Sequence, residues 1–240
     1  CDNNTISGIT ITGGLAEGGY PDYYGGGMYL YHSDPILTYV TIDSNTSSYL
    51  GGGMYLGFSN PTLTHVTISD NTSDNGGGMD IYWSNPTLSY VTISDNTANY
   101  WGGGMRLSTS SPTLTHVVIS NNTAYGGGGM YLWANCNPTL THVTISGNTA
   151  ESIGGVVMHQ SNPTLINSII WGNNSTYGQS SISTGAIITY SDIYKGPVFC
   201  GTCDPWDVVD DWSDGWEGEG NLNINPLFVD SDNGDYTLQE

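Results

Sequence analysis

Only two basic side chains, Arg106 and Lys195, stand against 22 acids in this 240-residue chain, for a formal net charge of −20. Nucleic-acid binding rests on Lys and Arg neutralising phosphates, so no nucleic-acid partner is expected, and anionic lipid or acidic polysaccharide would need bridging cations. No apolar stretch reaches the ~18 residues that a membrane span requires, so no span is expected.

The opening segment, residues 1–24, carries the strand-like run Ile6-Ser7-Gly8-Ile9-Thr10-Ile11-Thr12-Gly13-Gly14 and a loop. It begins inside what reads as a coil in progress and shows no signal peptide, so a precursor extending upstream is expected. Residues 25–173 hold six units of 25 or 26 residues, marked by Pro35, Pro61, Pro86, Pro112, Pro138 and Pro163. Asn45, Asn71, Asn96, Asn122, Asn148 and Asn173 repeat at the same intervals, and a methionine follows a glycine run at Met28, Met54, Met79, Met105 and Met130. In the sixth unit Val156 takes the methionine's place and Ile153 that of the first glycine. A fixed period of this length is the mark of a solenoid, each repeat one supersecondary unit stacked on the next.

Within a unit the pattern is strand, not helix. Met54-Tyr55-Leu56 reads in-out-in, Thr62-Leu63-Thr64 out-in-out and Val66-Thr67-Ile68 in-out-in, with Gly, Ser, Asn and Pro between them. Three short strands per coil fill the unit, so successive coils must pair in parallel at about 4.8 Å. The methionine, leucine and valine columns are then interior. The asparagine column becomes a hydrogen-bonded amide ladder, a structural device.

Residues 174–240 read as one or two irregular coils and a C-terminal cap, with eleven of the 22 acids between Asp204 and Glu240. The expectation is a single all-β domain over residues 1–240, a parallel β-helix solenoid of about eight coils. The acidic segment Asp204–Glu219, with Trp206, Trp212 and Trp216, is expected to blunt its C-terminal end.

These coils resemble the right-handed parallel β-helix proteins of the pectate-lyase-like superfamily, and more narrowly secreted bacterial proteins with glycine-run, Pro-Thr and Val-Thr-Ile coils. The tail Gly220-Asn221-Leu222-Asn223-Ile224-Asn225-Pro226-Leu227-Phe228-Val229-Asp230, then Gly234-Asp235-Tyr236-Thr237-Leu238, belongs to the same likeness. The resemblance implies the fold over nearly the whole chain and an extracellular or cell-surface setting. It does not imply a chemistry, since fold alone assigns none.

Candidate sites follow from the stacking. The outer column beside the methionines reads Tyr29, Tyr55, Asp80, Arg106, Tyr131 and Val157, with Asp80 and Arg106 one coil apart. They are expected to form a surface ion pair worth a few tenths to about 1 kcal/mol, so that Arg106→Ala loses no more than that. A hydrolase of this fold would need two convergent carboxylates, and that face offers one. The aromatic residues Tyr29, Tyr31, Tyr55, Phe58, Tyr82, Trp83, Tyr131 and Trp133, with Trp101 in a loop beside them, form an exposed strip for glycan or protein contact. The competing reading is that tyrosines simply favour strands and stack on one another.

His65, His116 and His142 share a column with Tyr39 and Tyr90 and read as flat-stacking turn residues. Asp70 and Asp95 stack beside the amide ladder, and calcium is the cation they could hold, although two side chains fall short of its six to eight oxygens. The run Asp230–Asp235 resembles a calcium loop with its glycine misplaced, and reads as a turn. Cys200 and Cys203 are disulfide candidates, Cys136 could meet either, and Cys1 is left for another molecule, for lipidation or for nothing.

Two functions compete. One is a non-catalytic, rigid structural or adhesive element at the cell surface or outside the cell, with self-association through the solenoid ends and surface glycans as partners. The other is a polysaccharide lyase, glycoside hydrolase or glycan-binding module using the aromatic face. The regularity of the coils favours the first, because active sites break local rules.

Overall fold

A computed structural model of the chain describes residues 4–177, 182, 186–189, 191–193, 228–230 and 235–238. Cys1, Cys200, Cys203 and the acidic segment Asp204–Glu219 lie outside the described residues, as do most residues of the turn at Asp230–Asp235.

Equal repeat lengths fix the register. Met54–Gly57 lies between Met28–Tyr31 and Met79–Tyr82, each methionine opposite a methionine and Leu30, Leu56 and Ile81 aligned. Every such pairing is parallel. The coils carry four strands rather than the three expected. In the second unit these are Met54–Gly57, Thr62–Thr64, Thr67–Ser69 and Thr72–Asn75. The fourth strand escapes the sequence pattern because it is as short as Thr46–Ser47 or Thr123–Ala124 and holds small residues. It forms because equal coils bring its backbone groups into register, Thr72 N–H donating to the Asn45 carbonyl at 2.9 Å.

Four parallel sheets result. We number them by the order within the second unit after its methionine strand: sheet 1 through Thr62–Thr64 and sheet 2 through Thr67–Ser69, each of eight strands, sheet 3 through Thr72–Asn75 with seven, and sheet 4 through Met54–Gly57 with six. Six coils, from Met28 to Ser175, carry all four strands, and partial coils flank them. A separate antiparallel pair, Phe228–Asp230 with Asp235–Leu238, lies in the tail.

The interior is the set of columns expected. Met54, Met79, Met105 and Met130 are fully buried, with Leu56, Leu63, Ile68 and their equivalents. Burying such side chains stabilises by about 1.5–3 kcal/mol each, and here every coil adds a layer. The glycine runs let the coils close. A Cβ at Gly52 would lie 2.5 Å from the carbonyl oxygens of both Gly77 and Thr72, and Gly51 has φ +66°, a conformation that favours glycine. In the sixth coil, with Ile153 in the first glycine's place, the Gly127 and Gly128 N–H groups both donate to the Ile153 carbonyl, and the ladder slips locally.

Two polar columns close the corners. In the asparagine column, Asn71 Nδ2 donates to Asn96 Oδ1 at 3.0 Å and to the Ile42 carbonyl at 3.0 Å, while its backbone N–H donates to the same Asn96 Oδ1. The links from Asn45 to Asn173 repeat this, and Asn45, Asn71, Asn96, Asn122 and Asn148 have no solvent exposure. A second buried ladder runs through Ser59, Ser84, Ser110, Cys136 and Ser161, each backbone N–H donating to the side-chain oxygen or sulfur of the next. Cys136 is therefore a free, fully buried thiol in a serine's position, and burial pushes its pKa up. Cys200 and Cys203, the partners expected for it, lie outside the described residues.

Candidate functional site

The outer face of sheet 4 is not an open surface throughout. The loops before the glycine runs stack on one another through parallel bridges at Tyr24 with Leu50, Leu50 with Asn75, and Trp101 with Gly126. They roof part of the sheet with rings. Tyr24 stacks on Tyr55 at 4.7 Å between centroids, and Trp101 on Tyr131 at 4.8 Å. Tyr55 and Tyr131 are buried as a result, and they leave the expected contact strip. Trp101 is half-buried as part of that roof. Burial raises both tyrosine hydroxyls, Tyr131 to about 12 despite the opposing Arg106 charge.

Burial also changes the meaning of Asp80 and Arg106. Arg106 Nη1 donates to Asp80 Oδ2 at 2.8 Å, but Asp80 is 0 % exposed and the Arg106 side chain 21 %. Asp80 Oδ1 and Arg106 Nε are buried without a partner. The surface ion pair expected from the sequence is thus a buried one, for which losing one partner is far more costly than for an exposed pair. Desolvation pushes the Asp80 carboxyl upward, with Arg106 pulling against it.

What stays open lies at or just past the C-terminal ends of the sheet 4 strands, with Tyr29 further back in the first of them. Tyr29, Tyr31, Phe58, Tyr82, Trp83 and Trp133 are 37, 44, 39, 37, 53 and 48 % exposed. His32, Phe58 and Trp83 stack coil on coil, while Tyr31 and Tyr82 both meet Phe58 edge to face at 85° and 87°. Six of the nine expected contact residues therefore form one exposed strip.

The sequence pattern also holds a feature that went unread: the residue before each proline. Asp34, Asn60, Asn85, Ser111, Asn137 and Asn162 form a third ladder beside the strip. The Asn85 backbone N–H donates to Asn60 Oδ1 at 2.7 Å, and the Ser111 N–H to Asn85 Oδ1 at 2.6 Å. Unlike the asparagine column, Asn60, Asn85, Asn137 and Asn162 are exposed. The fixed offset from proline was the signal that could have found them.

The remaining candidates stay apart from the strip. Tyr39, His65, Tyr90, His116 and His142 stack flat at 4.8–5.1 Å, the turn role expected of them, each with a left-handed φ between 52° and 54°. Asp70 and Asp95 sit at exposed turns, and the Asp70 carboxyl is raised by partial burial and by the charges of Asp95 and Asp43. Among the described residues no three His, Cys, Asp or Glu side chains converge as a metal site.

The model of the right handed beta helix region matches residues 1–148 and again 89–196. The chain belongs to this family. For a right-handed β-helix, the parallel register of all four sheets is what that membership requires. One solved structure, of a trypsin-treated variant of QnrB1, a plasmid-mediated fluoroquinolone resistance protein, is similar at 11 % identity and a TM-score of 0.20, covering 99 % of this chain and 100 % of that one. At that score the likeness carries no argument. No curated protein matches the sequence.

Proposed function

We propose that this β-helix is a non-catalytic, rigid adhesive element working outside the cell or on its surface, with the exposed aromatic strip of sheet 4 as its adhesive face. The observation that carries the reading is the strip itself: six large aromatic side chains held open on four of the first five coils of a frame that three side-chain ladders tie together. Exposed aromatic surface on a rigid support is a recognised means of contact. The charge distribution supports the setting, since the six coils are sparsely charged, with seven acids and one arginine over residues 25–173, and half of all the acids lie beyond residue 203. The close acid–base pair, Asp80 with Arg106, lies on the same outward side of sheet 4, but the Asp80 carboxylate has no solvent exposure and is held by the Arg106 guanidinium.

The test is retention of the full chain on a panel of solid glycans and protein-coated surfaces. Wild-type protein is expected to be held by at least one surface, and Trp83→Ala with Trp133→Ala to be washed off it. Retention unchanged by those substitutions would move adhesion to another face. Release of unsaturated sugars that disappears in Arg106→Ala would replace the reading with a lyase.

A further inference from the structure

One row of the strip, at the last position of the sheet 4 strands, has a period of two coils from Tyr31 to Trp133. The last position of the sheet 4 strands reads, coil by coil, Tyr31, Gly57, Tyr82, Ser108, Trp133 and His159, all in direct register. From Tyr31 to Trp133 large exposed rings thus alternate with small residues, and His159 ends the alternation. Gly57 is where the first gap is needed: a Cβ there would come within 2.9 Å of Tyr31 Cδ2, because the Tyr31 ring leans across that place. Tyr31, Tyr82 and Trp133 therefore stand two coils apart, about 9.6 Å each, over a run of about 19 Å.

We infer that this row binds an uncharged, extended β-1,4-linked glycan, of the cellulose or chitin type, along the solenoid axis. The inference deepens the adhesive reading and rests on it. In a flat β-1,4-linked ribbon successive sugars are turned over, so the disaccharide is the true repeat, and its extended length is close to two coils. A ring on every second coil meets the same face of every second sugar. Coiled α-linked or β-1,3-linked chains do not keep this repeat along a straight line.

Charge and polarity agree. Tyr31, Tyr82, Trp133 and the small residues between them carry no charge, and a net −20 disfavours polyanionic glycans. Beside the row, Asn60 and Asn85 have their Oδ1 atoms taken by the backbone of the next coil. Both residues are exposed and their NH2 groups meet no partner among the described residues, which leaves them as donors for sugar hydroxyls at the spacing of the coils. Apolar faces for stacking next to fixed amide donors are what an uncharged sugar ribbon requires.

The experiment is a pull-down of the full chain with microcrystalline cellulose and chitin, against granular starch and an insoluble β-1,3-glucan, with soluble oligosaccharides for affinity. Wild-type protein is expected on cellulose or chitin and not on the other two, with longer oligosaccharides bound more tightly than the disaccharide. Tyr82→Ala should weaken binding about tenfold, the scale of one lost aromatic contact. The decisive variant combines Tyr82→Ser with Ser108→Tyr, which keeps the number of rings but breaks the two-coil period. It should bind as weakly as Tyr82→Ala, with an unchanged melting temperature showing that it is folded. Equal binding by the shifted variant, equal binding to starch, or no binding to any β-1,4-linked glycan would overturn the inference. Retention on protein-coated surfaces in that last case would leave the adhesive reading standing without it.

Discussion

Two asparagine ladders run along this β-helix, and they differ in what they leave free. From Asn45 to Asn148 each amide of the sealed column is hidden from solvent and spends both ends, its oxygen accepting from the neighbouring backbone and amide and its nitrogen reaching an isoleucine carbonyl. In the row before the prolines, Asn60 and Asn85 likewise lend their oxygen to the next coil, but both residues are exposed and their nitrogens meet no partner among the described residues. The same residue at the same period is a structural staple at one corner and a presented donor at another. Burial decides which, because an unmet buried polar group costs about 1–3 kcal/mol while an exposed one finds water.

The largest effect should come from breaking the sealed ladder. Asn96→Ala strips a partner from the Asn71 backbone N–H and from the Ile68 carbonyl, both buried, and should cost about 4 kcal/mol in denaturant unfolding. Arg106→Ala comes next, since it strands the buried Asp80 carboxylate, and should cost about 3 kcal/mol rather than the fraction expected of a surface pair. Double substitution with Asp80→Asn should recover much of that loss, and failure to recover would mean that packing of the arginine stem, not charge, is responsible. Asn85→Ala, in the exposed row, should stay within about 0.5 kcal/mol of wild type. A cost matching that of Asn96→Ala would abolish the distinction between the two ladders.

The smallest expected effect is electrostatic. The Asp70 carboxyl is raised above its ordinary value, so the folded state holds that proton to higher pH than the unfolded state does. Stability from this group is therefore greatest in acid and declines as pH rises from about 3.9 through the raised value. Asp70→Asn should flatten that part of the melting-temperature profile. Calcium bound between Asp70 and Asp95 would lower the Asp70 carboxyl instead, and a calcium-dependent rise in melting temperature, lost in Asp70→Asn, would show it.

The solenoid was legible because its cause is periodicity. A 25- or 26-residue repeat with period-two alternation leaves few ways to bury Met54, Leu63 and Ile68 other than to stack them on their equivalents, and the Asn column follows from the same stacking. Legible too, though unread, were the pre-proline row and the alternation of Tyr31, Gly57, Tyr82, Ser108 and Trp133. The fourth strand was hidden by its length, since two residues such as Thr46–Ser47 carry no alternation to detect.

What the sequence by itself determined was the coil: its length, its parallel register and the identity of its inward columns. Only the tertiary structure decided which outward residues see solvent. Tyr55, Asp80 and Tyr131 alternate outward as surely as Tyr29 does, yet loops from neighbouring coils, carrying Tyr24 and Trp101, close over Tyr55 and Tyr131, and Asp80 is sealed as well. Alternation records only the side of a strand on which a residue falls. Whether that side is covered depends on loops of variable sequence, whose placement is set by packing rather than by period.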